Sequence, residues 1–185
     1  MRIGFNSVKG GQGVTTVAAI VALESAKTAE TMLVPTCDTE ACLGLPSGMT
    51  DPVDRLRISD VTGRFGFSDD EVLICDQSNA GLDILVTRAC YISLKRAVHA
   101  LERRIEVQSN YKFDGIVVVR DAGRVLNDND VSRALGAPVI ATFDVDPAVA
   151  RASDAGLLCC RVPDLAAAQA RRVLEACRAM TPAMV

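Results

Sequence analysis

Lys9-Gly10-Gly11-Gln12-Gly13-Val14-Thr15-Thr16 joins a short apolar run, Arg2–Asn6, to a long segment of small apolar residues, Thr15–Lys27. The first run has strand character, and the second reads as a helix. A glycine-rich turn between strand and helix lets successive backbone N–H groups point inward at one anion. The helix N-terminus places its positive dipole end beneath the same anion. The plain alternative is a strand-to-helix turn with no ligand. The coincidence of three glycines, Lys9 and the Thr15–Thr16 pair favours a phosphate cradle.

Outward from this loop, short apolar runs alternate with helix-like segments. Strands are expected at Arg2–Asn6, Met32–Thr36, Glu71–Cys75, Asp83–Thr87, Gly115–Arg120 and Val139–Phe143. Several are rich in Val and Ile without polar alternation, as in strands covered on both faces. Helices are expected at Thr15–Lys27, Tyr91–Val107, Asp128–Leu135, Pro147–Ala155 and Asp164–Met180. This alternation predicts an α/β fold with a mainly parallel sheet and helices on both faces. Its ligand site belongs at the carboxyl ends of the strands. Gly44–Asp70, with Pro46, Gly48, Pro52, Gly63 and Gly66, reads as a surface excursion with one short helix near Val53–Ile58. The length of 185 residues suits one domain over 1–180, followed by a short uncharged tail, 181–185.

Composition narrows the function. Twenty Lys and Arg against 23 Asp and Glu leave a net charge of −3, which disfavours a bulk nucleic-acid binder. There is no Trp, and aromatics make up 4% of the chain, too few for a row of base-stacking side chains. No apolar run reaches the ~18–20 residues of a membrane span. The stretch Met1–Asn6 leads straight into glycine-rich sequence, unlike a secretion signal. Seven cysteines, an odd number without a CxxC pair, accompany a single histidine, His99. This usage indicates free thiols in a reducing, cytoplasmic compartment rather than a zinc site.

Against the common phosphate-binding pattern GxxxxGK[ST], Val8 replaces the first glycine and Val14 replaces the lysine. The stretch resembles the deviant loop KGGxGK[ST][ST] of the ParA/MinD family. Val14 departs from it at the Walker lysine, as in the TadZ/CpaE branch. The resemblance implies a P-loop NTPase-like fold, ATP as ligand and Mg²⁺ as its ion. It implies that Lys9 is the signature lysine, acting on its own nucleotide or on a facing subunit's. It further implies that Gly10, Gly11, Gln12, Gly13, Val14, Thr15 and Thr16 surround the phosphates, and that Thr15 ligates Mg²⁺.

Two strand ends extend the resemblance. Val72-Leu73-Ile74-Cys75-Asp76 is similar to Walker B, which implies that Asp76 holds Mg²⁺ through water. Met32–Glu40 resembles the strand that ends in DxDxQ. There Asp38 matches the acid that orients the attacking water, with Thr36 and Glu40 in the places of Asp and Gln. A capping turn for Asp76 and a solvated loop acid for Asp38 are the alternatives. Asp144-Val145-Asp146-Pro147 resembles the loop flanking the base, which implies a cofactor contact at Asp146. Arg120-Asp121 stands where the family often has an adenine-reading Asn, so no contact is carried over there.

The function so implied is a nucleotide switch that positions or partitions a cargo, whether DNA, a pole or a secretion or pilus machine. Hydrolysis would be weak or absent without the Walker lysine. A homodimer and a protein partner follow from the same resemblance. A nucleotide-free scaffold and a small-substrate P-loop enzyme are the rival readings. The last would show ATP turnover that rises with a small carboxylic acid. On Tyr91–Val107, Lys95, His99 and Arg103 share a face that reads as solvated rather than DNA-binding. Arg171, Glu175 and Arg178 read as a surface ion-paired ladder. The C-terminal segment lacks a basic amphipathic helix, so no autonomous membrane binding is expected.

Overall fold

The computed structural model describes residues 1–46, 49–59, 71–77 and 81–181. In chain order the elements are β1 (Arg2–Asn6), α1 (Val14–Ala26), β2 (Thr31–Val34), α2 (Cys37–Leu43), β3 (Leu56–Ile58), β4 (Val72–Asp76), β5 (Leu82–Arg88), α3 (Tyr91–Val107), β6 (Gly115–Arg120), α4 (Asp128–Leu135), β7 (Val139–Asp144), α5 (Pro147–Asp154) and α6 (Asp164–Met180). The strands form one seven-stranded sheet in the order β3-β2-β4-β1-β5-β6-β7. Every strand pair in it is parallel. β1 lies between β4 and β5, so the loop after it opens where the chain departs to both sides. That is the switch point at which open parallel sheets bind ligands.

The apolar strands divide their side chains between two cores. Ile84 and Val86 of β5 and Val117 and Val119 of β6 pack with α1 and α6. Leu85, Ile116 and Val118 face α3 and α4 on the opposite side. This is why these strands carry no polar alternation. α1 is buried along 11 of its 13 residues. Ala18, Ala19 and Ala22 let it lie close to both the sheet and α6. Glu24 is buried on this helix and receives Arg171 Nη1 at 2.9 Å, with Lys27 as a second partner. Arg171 is thus committed to α1, not to the ladder expected with Glu175. Replacing Arg171 with Ala is expected to cost about 2 kcal/mol, since among the described residues the buried carboxylate then keeps only the exposed Lys27. A urea midpoint unchanged from the parent would refute this.

Two elements depart from expectation. The short helix near Val53–Ile58 is instead a strand, β3. It pairs with β2 through Thr31 opposite Leu56 and Leu33 opposite Ile58. Leu56 and Ile58 bury apolar side chains on the sheet, and Arg55 enters with a φ of 60°, outside helical geometry. Conversely, the second expected strand stops at Val34, and a helix, α2, begins at Cys37. Thr36 and Thr39 form a reciprocal capping box there, and Gly44 closes the helix at a φ of 72°. Gly44 also meets a backbone: a Cβ built on it would lie 1.7 Å from Gly156 O. The loops following α2 and α5 are therefore pressed together. The remaining boundaries agree with expectation within two residues. The expectations for Gly48, Gly63, Gly66 and the end of the tail concern residues outside the described ones.

Candidate functional site

β1 delivers the chain into the glycine loop, and the loop delivers it into α1. Gly11 and Gly13 have φ values of 74° and 88°, the left-handed region that disfavours side chains. Gly13 caps α1 without a side chain, and the first turn of α1 holds no acidic residue. Its leading N–H groups are left to whatever anion enters the loop. Thr15 and Thr16 are half-buried in the first turn. Val14 is 5% exposed and belongs to the α1 core, so its side chain is directed away from solvent. Lys9 is half-buried and makes no ion pair among the described residues.

β4 pairs beside β1 with Phe5 opposite Asp76, which sets Asp76 one strand from the loop. Asp76 is 4% exposed. Its Oδ2 accepts hydrogen bonds from Thr36 Oγ1 at 2.9 Å and Thr39 Oγ1 at 2.6 Å. Its Oδ1 is buried with no partner among the described residues. An unsatisfied carboxylate oxygen at such a place is costly unless a cation or an ordered water reaches it. The donor set, a carboxylate oxygen with threonine hydroxyls close by, is the hard-oxygen kind that suits Mg²⁺. The next residue, Gln77, has a φ of 56°, a strained turn immediately after the acid.

Asp38 lies between the two threonines in sequence. It is exposed in the first turn of α2, and its Oδ1 accepts from the Cys37 thiol with Sγ at 3.7 Å. Thr36 and Thr39 are brought to Asp76, and Asp38 is not. The two threonines follow from the Thr-x-x-Thr spacing, a capping signal legible in the sequence. That they would reach Asp76 depends on β2 lying beside β4.

On the other side of the loop, a cleft of about 260 Å³ is lined by Gly13, Thr16, Arg88, Val119, Phe143 and Asp146, among others. Asp146 caps α5, its Oδ1 accepting from Ala148 N at 2.7 Å. Gln12 is 1% exposed and turned inward, its Oε1 accepting from Arg88 N at 3.0 Å. The loop is thereby tied to the end of β5. Arg88 is the residue that strand and motif reading did not place in the site. Its signal was a charged residue at the end of an apolar strand, as for Asp76. Its Nη1 lies 3.3 Å from Asp121 Oδ1, and Asp121 is also held by Arg124 at 3.0 Å. Arg120 pairs with Asp128.

Cys90, at the N-terminus of α3, is close enough to Lys9 and Arg124 to feel their charge. The Ser93 hydroxyl, followed by these cations, lowers the Cys90 thiol pKa, whereas burial raises that of Cys75 to about 11 and of Cys177 to about 12. The thiolate is the reactive form, so a lowered pKa enriches it near neutrality. At pH 7.5, iodoacetamide is expected to label Cys90 well before Cys75 or Cys177, as read by peptide mass spectrometry over time. Earlier labelling of either buried thiol would contradict this.

Tyr91 and Ile92, 72% and 60% exposed, line a groove of about 780 Å³ with Val8, Lys95, His99 and Arg103. The basic face of α3 thus has apolar neighbours next to the glycine loop. Among the described residues, no helix is long and apolar enough to cross a membrane.

No protein-family model and no curated protein sequence matches the chain. Solved structures do. The septum site-determining protein MinD of Pyrococcus horikoshii, complexed with Mg-ADP, aligns with a TM-score of 0.69 and 16% identity over 94% of each chain. MinD in the Aquifex aeolicus MinC:MinD cell division complex gives 0.67 and 16%, covering 94% of this chain and 96% of that one. A McdA variant of Cyanothece in complex with ATP gives 0.66 and 15%, covering 100% and 98%. A ParA family ATPase from Chlorobium tepidum is also similar, at 0.63. The chain therefore has the P-loop fold of the MinD and ParA-family proteins.

Proposed function

We propose that this chain is a nucleotide-binding positioning protein that takes ATP with Mg²⁺ and uses occupancy of the site as a switch. The observation that carries the reading is Asp76 Oδ1, a buried carboxylate oxygen without a donor among the described residues, one strand from a glycine loop that leads into a helix with no side-chain cap. In this reading Gly10, Gly11, Gly13 and Thr16 hold the phosphates through backbone and hydroxyl donors, and Lys9 adds charge. Thr15 and Asp76 would hold Mg²⁺, which when bound neutralises phosphate charge. Asp146 and the acids beside it would accept from ribose hydroxyls or the base. The Mg-ADP and ATP named for the Pyrococcus and Cyanothece structures support this choice of ligand.

Hydrolysis is weak or absent in this proposal. Val14 cannot neutralise charge, and Asp38 would orient water only from an exposed position on α2. The working unit is a homodimer of a single domain over 1–180 in the cytoplasm. The exposed pair Tyr91 and Ile92 beside Val8 supports a contact face near Lys9, and the MinC:MinD complex supports a protein partner. DNA is disfavoured by the net charge of −3.

Calorimetric titration of the protein with Mg-ATP, beside Lys9→Ala, tests the reading. Saturable binding that the variant loses is the expected result. No binding at millimolar Mg-ATP would sink the switch. The second reading, a protein-binding scaffold without nucleotide, rests on Val14 and would then stand.

A further inference from the structure

We propose that Arg88 supplies from β5 the positive charge that Val14 withholds from the phosphate chain. The proposal rests on the nucleotide reading above and adds a residue to it. Arg88 lines the same cleft as Gly13 and Thr16, at the junction of the glycine loop and α1. Its backbone N–H is fixed by Gln12 Oε1, so the arginine keeps its place relative to the loop.

Two buried donors in this neighbourhood lack acceptors among the described residues: Arg88 Nε and Gln12 Nε2. Buried N–H groups without acceptors are uncommon in folded proteins, and an anion satisfies them. Val14 is neutral and packed in the core, so it cannot be such a donor.

The present partner of Arg88 is replaceable. Arg88 Nη1 stands 3.3 and 3.4 Å from the two Asp121 oxygens, a long contact. Arg124 holds Asp121 independently through Nε at 3.2 Å and Nη2 at 3.0 Å. When Arg88 turns to phosphate, Asp121 keeps a guanidinium, and no carboxylate is stranded. A planar guanidinium also matches phosphate oxygens in pairs.

The test titrates the full chain with Mg-ADP and, separately, with inorganic pyrophosphate, comparing the parent, Arg88→Ala and Arg88→Lys. Both substitutions keep the backbone N–H that Gln12 holds. Arg88→Ala is expected to weaken both probes at least tenfold, with Arg88→Lys recovering most of the loss because charge is retained. Melting curves establish that each variant is folded, and Arg88→Lys serves alone if the alanine variant is not. In that case, a loss below threefold in 0.1 M salt that grows beyond tenfold at 0.5 M is expected, because a point charge is screened more readily than a bidentate contact. Parent-like affinity of Arg88→Ala, or a salt dependence of Arg88→Lys equal to the parent's, overturns the role of Arg88 and leaves the nucleotide reading intact. Failure of the parent itself to bind Mg-ADP overturns that reading, and this one with it.

Discussion

Replacing Asp76 with Asn is expected to remove the magnesium dependence of nucleotide binding. In the parent, adding EDTA should weaken ADP binding tenfold or more. In Asp76→Asn the affinities with and without EDTA should coincide. The reason is that Oδ1 has no partner among the described residues, and an amide there holds a divalent cation poorly. The fold should tolerate Asn at a cost of about 1 kcal/mol, since its carbonyl oxygen still accepts from a threonine hydroxyl. Asp76→Ala is a different experiment. It strips the acceptor from both Thr36 Oγ1 and Thr39 Oγ1 and so loosens the start of α2, at roughly 2–4 kcal/mol. An EDTA effect in Asp76→Asn as large as in the parent would exclude Asp76 from the ion's surroundings.

Gly44→Ala is expected to be among the most damaging single-methyl additions in the protein. Two effects combine: a left-handed φ of 72° and a Cβ placed 1.7 Å from Gly156 O. The obstacle is backbone, so no rotamer change relieves it. Gly123 provides the comparison, with a φ of 78° and nothing within 4 Å of its built Cβ. Gly123→Ala should cost only the conformational strain, about 1 kcal/mol. Gly44→Ala should cost about 3–5 kcal/mol, lowering the melting temperature by roughly 10 °C for a chain of this size. Equal melting temperatures for the two variants would show that the loops after α2 and α5 part easily.

The parallel sheet and its major helices were legible because each carries its own signal. Val- and Ile-rich runs mark β5 and β6, and helical spacing marks α3 and α6. β3 was not legible: three residues make no pattern, and their strand geometry comes from pairing with β2. α2 was hidden although Thr36, Thr39 and Gly44 spell out its start and stop, because the same residues also read as the end of a strand. In the site, the glycines, Lys9 and Asp76 stood out as special residues at strand ends. Thr36, Thr39 and Arg88 join it through strand order alone, β2 beside β4 and β5 beside β1, which local sequence does not encode. Asp38, placed by resemblance, lies exposed on α2, next in sequence to Thr39.

α1 is enclosed by the sheet, α2 and α6, and it begins in the glycine loop. A helix so enclosed has no inexpensive way to expose its amides. Its interior amide protons should exchange with deuterium only when the entire chain unfolds. Any ligand that binds only the folded chain then slows that exchange by a factor of one plus its concentration over its dissociation constant. The middle of α1 thus serves as a built-in gauge of occupancy, from which affinities can be read peptide by peptide without a label on the ligand.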